Sequence, residues 1–401
     1  MASDIHDYSA RFRRAMRILR EDSQIIEPNR KALLEFVEYC QAQGYEVPTI
    51  VRHIFCLRKV SKILGKSFRR ATRDDMIRVV AEIEKEELSD RTKLNEKISL
   101  KRFYKWLNGD EEFPENVKWI KTSRKKGNRI LPENLLTEEE VKQIAEAAIN
   151  QRDRALVLVL YESGCRIGEV LSLRIRNVQF DKYGAILVVD GKTGPRRVRI
   201  ISSAPALANW LDHHPQKENQ DAALWTSFDR VSSTQPLQYY ACRKMLQELA
   251  VRARINKRVN PHSFRHARAS KLANSLTESQ MKEYLGWTQD SNMASVYVHL
   301  SGRDIDNALL RVNGIRLETK QEESVLQIVK CMRCETNNSP ASRFCTKCGS
   351  PLDLKTAIEL QDEEKMTDAV MNILMEDKAF REFVLSRKRE IVTMLAQQRT
   401  G

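Results

Sequence analysis

Asn260-Pro261-His262-Ser263-Phe264-Arg265-His266, then Leu285-Gly286-Trp287, then Tyr297-Val298-His299 are the blocks on which the reading of this chain turns. His262 and Arg265 are three apart, so on a helix they share one face with Cβ atoms about 5–6 Å apart. Asn260-Pro261 reads as the turn into that helix, with Pro261 close to its first position. Thr277 with Gln280 three residues later is a capping box for a second helix, and Gly286 is a natural place for that helix to end. A third short helical piece around 293–298 would carry Tyr297 back towards the pair. Three polar groups able to bind or attack a phosphate are thereby gathered on one small helical framework. Taken singly, each block also fits a blander role: a solvated helix face, or for Tyr297 a core residue with a hydroxyl partner. His262 and His266, four apart, could share a metal, but the glutamate of the zinc-protease motif is missing.

The rest of the chain narrows the choice. Its 401 residues suffice for two or three domains with cores of their own. Charged residues make up 30% and the net charge is +14, which favours a polyanionic partner over an acidic small molecule. Nothing approaches the ~20 apolar residues of a membrane span, and the N-terminus has no signal-peptide pattern. Cys40, Cys56, Cys165 and Cys242 are scattered singly, whereas the other four cysteines form two C-x-x-C pairs. That is metal usage in a reducing compartment rather than a secreted disulfide framework, so a cytoplasmic, nucleoid-associated protein without a membrane partner is expected.

Residues 1–120 read as a helical DNA-binding domain, with helices over about 29–43, 48–64, 72–86 and 91–107. Thr72 followed by Asp74 and Asp75 suits a helix start; Gly44 and Gly65 suit helix ends. Basic residues recur on the polar faces, and the stretch 52–70 holds no matching acid. Arg52, Lys59, Lys62, Arg69, Lys97 and Lys101 are therefore candidate DNA contacts. Residues 121–134 form a basic linker with Gly and Pro, and its Arg124, Lys125 and Lys126 are further candidates for tracking a phosphate backbone.

A third segment is expected over 135–315. Thr137 with Glu140 is another capping box, followed by a more apolar helix over about 151–162 that should be core. In Gly164-Cys165-Arg166-Ile167-Gly168-Glu169, Gly164 fits a helix end and Arg166 is held at the start of the next helix. An arginine fork grips two phosphate oxygens at once, with Glu169 as its supporting partner. Residues 185–189 and 197–201 read as strands joined by the hairpin turn Gly191-Lys192-Thr193-Gly194. Lys192 at its tip is either simply solvated or placed to reach into a groove and protonate a leaving oxygen.

Arg166, Lys192, His262 and Arg265, Trp287 and Tyr297, in this order and at these separations, resemble the signature of the tyrosine recombinases (phage integrase and Xer family). The resemblance covers the whole central segment, and the N-terminal helices look like that family's core-binding domain. It implies a mainly α fold with a small antiparallel β-sheet (α+β). It further implies that Tyr297 attacks the scissile phosphodiester to give a 3′-phosphotyrosyl intermediate. Arg166 and Arg265 would hold the non-bridging oxygens, and His262 and Trp287 would bond the phosphate or position the nucleophile. Lys192 would protonate the departing 5′ oxygen. Many members have histidine at the position of Trp287; indole offers one donor and shuttles no proton. His262 is the closest candidate base for Tyr297, whose unperturbed pKa of ~10 demands help at neutral pH. The resemblance needs neither metal nor ATP for catalysis, and no Walker motif is present. It implies a homo-tetramer on two duplexes, integrating, excising or resolving DNA. Two other readings share parts of this: a type IB topoisomerase, which would relax supercoils as a monomer on arbitrary sequence, and a DNA-binding regulator that has lost the reaction.

Beyond a short helix expected over 304–311, Cys331-Met-Arg-Cys334 and Cys345-Thr-Lys-Cys348 are separated by ten residues. Two such knuckles read as a structural zinc ribbon (325–352) with a closed four-thiolate shell. Small ribbons of this kind resemble those appended to archaeal proteins. A more acidic, helical segment with apolar stripes follows over 353–401, expected to pack on the ribbon or on a neighbouring subunit.

Overall fold

The structure, a computed structural model, describes residues 4–123, 132–191, 193–228, 234–300, 313 and 324–398. Arg124, Lys125, Lys126, Lys192 and the helix expected over 304–311 lie outside these residues. The fold is mainly α with small antiparallel sheets, as expected. The chain divides into two compact units: Met1–Leu131 with Gln238–Tyr240, and Pro132–Leu237 with Ala241–Gly401. No helix among the described residues is long and apolar enough to cross a membrane.

The first unit is built from α1 (Tyr8–Glu21), α2 (Glu27–Ala42), α3 (Val47–Leu64), α4 (Arg73–Lys85), α5 (Asp90–Leu107) and the single turn α6 (Glu115–Lys118). Thr72 caps α4 in a reciprocal capping box with Asp75, and Gly65 ends α3 in the left-handed conformation. The core is aromatic at its centre: Phe103 meets Phe36 and Phe68 edge-on, with centroids 5.3 and 4.8 Å away. Asn29 is fully buried there and satisfied. Its amide donates to Ser61 Oγ and the Lys66 carbonyl and accepts from Phe68 N–H, tying α2 to the end of α3.

This unit changes the reading of the basic stretch 52–70. Acids arrive from other elements: Arg58 and Lys62 pair with Asp22, Lys59 with Glu86 and Glu96, and Lys66 with Asp75. Further along, Lys97 pairs with Glu84, and Lys101 donates to the Ile120 carbonyl. Arg52 and Arg69 are exposed, with no acidic partner among the described residues.

The second unit opens with α7 (Glu138–Glu146) and α8 (Gln151–Ser163). Helix α8 is buried nearly all round, as its unbroken apolar run Ala155–Leu160 dictates, and it forms the axis of the unit. Then come α9 (Ile167–Leu171) and the strands β1 (Val178–Asp181), β2 (Gly184–Gly191) and β3 (Gly194–Ile200), a three-stranded antiparallel sheet in that order. Strand β1 was not expected; it is four residues long and mostly exposed. Helix α10 (Ala204–Asp212) begins where Glu162, at the end of α8, accepts the N–H groups of Ile201, Ser202 and Ser203. Helices α11 (Tyr239–Arg252), α12 (Pro261–Leu272), α13 (Glu278–Leu285) and α14 (Met293–Leu300) complete the part that carries the site.

The short pair β4 (Val329–Lys330) and β5 (Asn337–Asn338) belongs to the cysteine-rich segment. Two long helices follow, α15 (Leu354–Glu376) and α16 (Lys378–Gln398). Their apolar stripes are largely uncovered: Met366, Val370, Ile373 and Phe383 are all exposed, so packing of these side chains on the ribbon is not what the structure has.

Candidate active site

Helix α12 starts as its sequence prescribes. Asn260 Oδ1 accepts the N–H groups of His262 and Ser263 at 2.9 and 3.2 Å, and Pro261 occupies the first turn. That start fixes the phase of the helix, and it turns Arg265 inward, where the residue is 6% exposed. Two of its N–H groups donate to the Gly164 carbonyl and the Leu285 carbonyl, both at 2.7 Å. These oxygens lie at the C-terminal ends of α8 and α13, where unsatisfied carbonyls favour a cation. Arg265 therefore pins three helices together with two of its five donors.

Arg166, at the entrance to α9, is held by Glu169. The carboxylate accepts the Arg166 backbone N–H at 2.9 Å and its guanidinium at 3.0 Å. The same carboxylate accepts Arg196 of β3 at 2.7 and 3.1 Å. Burial penalises the Glu169 anion, but hydrogen bonds and charge from Arg196, with the N–H and guanidinium of Arg166, outweigh it and hold its pKa below the usual range. Glycine on both sides leaves room for this ion pair, which any larger residue would displace. A Cβ on Gly191 would lie 2.3 Å from Glu169 Oε1, and one on Gly286 would lie 2.6 Å from Arg196 Nη1. Arg196 also donates to the Tyr284 carbonyl at 3.0 Å, which fastens the hairpin to the end of α13.

His262, Arg166 and Arg265 are close enough to repel one another. Burial first, and then the charge of Arg166, pull the Arg265 pKa down to about 10. Burial, Arg265 and Arg166, in that order, lower that of His262. Two cations and a histidine that resists becoming a third, with the single carboxylate of Glu169 beside them, make a site suited to an anion.

Trp287 and Tyr297 close the other side. The capping box of Thr277 with Gln280 and the left-handed Gly286 set the bounds of α13, so Trp287 emerges directly after it. Its indole stacks on the Tyr297 ring with centroids 5.6 Å apart and planes 7° off parallel. The Arg265 guanidinium carbon lies 5.5 Å from the indole centroid. Ala269, Ala273 and Ala294 are fully buried in the same cluster and let α12, α13 and α14 approach closely. Tyr297 is 1% exposed, and burial pushes its pKa up to about 12 against the opposing pull of Arg265. Its hydroxyl hydrogen-bonds to Nδ1 of His266, not to His262.

The fold thus brings together Arg166, Glu169, His262, Arg265, Trp287 and Tyr297. Lys192 lies outside the described residues; its neighbours Gly191 and Thr193 do not, and the Thr193 hydroxyl reaches the Gly286 carbonyl at 3.5 Å. Two further residues, Arg196 and His266, stand in the site without being among its expected members; Arg196 was expected only as one of three hairpin arginines, with Arg197 and Arg199, near a phosphate. Arg196 had a signal: it stands opposite Val189 in the hairpin register, on the inward face shared with Val198 and Ile200. His266 had none beyond its spacing from His262. Replacing Glu169 with Gln keeps the shape and removes the charge that Arg166 and Arg196 share. The buried side chains, Glu169 at 3% and Arg196 at 10% exposure, put the expected destabilisation towards the ~3–5 kcal/mol of a broken buried pair. Chemical denaturation of Glu169→Gln would measure it; an unchanged midpoint would show that the pair does not support the fold.

The cysteines form a second constellation. Cys331, Cys334, Cys345 and Cys348 converge with all four sulfurs within 4.8 Å, so they could hold a metal ion. Asn338, fully buried, donates to the Thr336 carbonyl and accepts from Thr346 N–H, joining the two knuckles.

Residues 134–303 match the phage integrase family. Among curated proteins, the tyrosine recombinase XerA of Pyrococcus furiosus is 28% identical over 288 residues, covering 71% of this chain and 94% of that protein. The tyrosine recombinase XerC of Haemophilus influenzae is 25% identical over 283 residues, 67% of this chain and 92% of that protein. Among solved structures, XerH site-specific recombinase bound to a palindromic difH substrate superposes with a TM-score of 0.55 at 18% identity, over 78% of this chain and 98% of that one. The Tn1549 transposon integrase in complex with transposon right end DNA gives 0.55 at 15% identity, over 71% and 99%. The segment that matches is the one holding every side chain of the site, from Arg166 to Tyr297, so residues 134–303 form a domain of the phage integrase family.

Proposed function

We propose that a scissile DNA phosphodiester occupies the space between Arg166, Arg265, His262 and Trp287, and that Tyr297 attacks its phosphorus. The Oη–P bond forms as the bond to the 5′ oxygen breaks, leaving a 3′-phosphotyrosyl intermediate and a 5′-hydroxyl protonated by Lys192. Phosphoryl transfer is mostly positioning and stabilisation of charge on the equatorial oxygens, which two fixed arginines supply. The observation that carries this reading is the convergence of Arg166, Arg265 and His262 beside a buried tyrosine hydroxyl held by His266, with the Arg265 and His262 pKa values both lowered there. An anion relieves the repulsion, and a phosphodiester is the anion that tyrosine can exchange with. The match of residues 134–303 to the phage integrase family and the similarity to tyrosine recombinases support a site-specific recombinase that cleaves and rejoins DNA. The relatives solved on DNA, among them a lambda integrase dimer on a core site, support duplex DNA as substrate and assembly of more than one subunit on it. We extend this to a tetramer on two sites.

The test is a nicked suicide substrate, from which the cleaved strand end diffuses away and traps the adduct. A covalent protein–DNA complex resistant to denaturant is expected, and its absence under every condition would refute the enzyme reading.

For the four cysteines we propose structural zinc. A tetrahedral site with Zn–S of ~2.3 Å separates its sulfurs by ~3.8 Å. Here Cys331 and Cys348 lie 3.6 Å apart, and Cys334 and Cys345 lie 3.5 Å apart. Four thiolates would close the shell and leave the metal no role in strand cleavage. One zinc per chain is expected by elemental analysis. Cys331→Ser with Cys345→Ser should release it and expose residues 324–352 to protease, while the Tyr297 adduct still forms on the suicide substrate. Protection unchanged after metal loss would remove zinc from the account of this segment's stability.

A further inference from the structure

We infer that His266 is a catalytic residue of the strand-cleavage step, its Nδ1 taking the phenolic proton of Tyr297 as Oη attacks phosphorus. The inference rests on the recombinase reading above and names the acceptor of the phenolic proton, in place of His262, the candidate that the sequence alone suggests. Its ground is geometric. A phenol buried to 1% exposure must give its hydroxyl proton to an acceptor, and the atom bonded to Oη is Nδ1 of His266. The two rings lie 5.9 Å apart, with His266 one helical turn beyond His262 on α12. The His262 ring centroid is 6.3 Å from that of His266, on the side of the arginines, where a phosphate oxygen needs a donor.

A ring nitrogen can accept a proton only when it is bare. The charged and titratable groups facing His266 among the described residues are His262 and Arg265 on its own helix and Tyr297 on α14. Burial first, then His262 and Arg265, lower its pKa, which favours the neutral imidazole, and in the tautomer with its proton on Nε2 the bare Nδ1 accepts from the phenol. The balance is simple. The proton leaves Oη for Nδ1 and gives an imidazolium; Oη–P forms; P–O5′ breaks; the 5′ oxygen takes its proton from Lys192. In religation the imidazolium returns its proton to Oη as the tyrosine departs. No oxidant, metal or nucleotide is required. This assignment leaves His262 as a donor to the phosphate and Trp287 as the plate on which the nucleophile rests.

Two substitutions separate proton transfer from mere orientation. His266→Asn keeps an acceptor oxygen near the position of Nδ1 but cannot take up a proton; His266→Ala removes both. Single-turnover formation of the covalent complex on a nicked suicide substrate is the readout, with DNA affinity and melting temperature as controls. Both variants are expected to be slower by ~10²–10⁴ at pH 7, the range of general-base contributions, with DNA affinity unchanged. The wild-type rate should fall on acidification, with its midpoint below the ordinary imidazole value of ~6.5 because the His266 pKa is lowered. In the variants that acid limb should vanish, and the rate should climb with pH as hydroxide replaces the lost base. Restoration of the wild-type rate by Asn would reduce His266 to orienting Tyr297 and overturn the inference, as would a rate loss matched by loss of DNA affinity or folding. A wild-type protein that forms no adduct would instead sink the recombinase reading; a wild-type adduct with His266 variants of equal rate would sink this inference alone.

Discussion

Tyr297→Phe is expected to bind DNA as tightly as the wild type and to yield no covalent complex, a loss of ~10⁶ in rate on the scale of removing a covalent nucleophile. The separation of binding from chemistry follows from where the side chain sits. Its ring is core, stacked on Trp287 and surrounded by buried alanines, and phenylalanine preserves that packing. What is removed is a hydroxyl with one partner, His266. The stability cost should be that of a single hydrogen bond, ~0.5–1.5 kcal/mol. DNA affinity measured by gel shift, adduct formation on a suicide substrate and a thermal melt check the three parts. A residual adduct in Tyr297→Phe would assign the nucleophile elsewhere.

The pH dependence of the same region has a definite sign. His262 and His266 both have pKa values lowered by folding, so the unfolded chain binds more protons than the folded one. Their contribution is intact above the unfolded value of ~6.5 and is lost as pH falls from there towards the lower folded values, each histidine adding to the slope and the loss levelling off once the folded form is protonated as well.

Much of this site is legible before any coordinates, because local rules write it. Asn260, Thr277 with Gln280, and Gly286 are cap residues whose effect is confined to one helical turn, and they bound α12 and α13 where the sequence places them. The Gly191–Gly194 turn likewise closes the hairpin. Local rules fail where a partner comes from far along the chain. Positions 52–70 look like uncompensated positive charge because Asp22, Asp75, Glu86 and Glu96 lie outside the window. Folding neutralises Arg58, Lys59, Lys62 and Lys66, and leaves Arg52 and Arg69 as the exposed candidates for a phosphate contact. The acceptor for Tyr297 is hidden for the same reason. His266 and Tyr297 are separated by 31 residues, and which histidine of the pair faces the phenol depends on the crossing of α12 and α14. Arg196 lies between these cases: two residues from Val198 on a strand, it follows the inward face by period alone, but a charged residue there invites the opposite assumption.

Arg265→Lys should show that the second arginine acts through its shape as well as its charge. Lysine retains the cation, yet a single ammonium on a flexible stem cannot reproduce a planar fork that spans the carbonyls of Gly164 and Leu285 and still offers donors to a phosphate. A fall of ~10²–10³ in the cleavage rate is expected, the usual cost of one lost donor to a developing oxyanion. Arg265→Ala should match that loss and add a structural one. Two buried carbonyls at the ends of α8 and α13 lose their partner, each at ~1–3 kcal/mol. The melting temperature should therefore fall well below that of Arg265→Lys. A third readout is independent of activity: with the Arg265 charge gone, the His262 pKa should move back towards 6.5, as followed by imidazole NMR shifts in the Ala variant. Removing the cation relieves the repulsion that depresses His262, whereas lysine leaves most of it in place. If Arg265→Lys cleaves at the wild-type rate, the forked grip on phosphate is wrong. If His262 titrates identically in all three proteins, the two groups do not share the anion site, and the electrostatic argument for a phosphate between them falls with it.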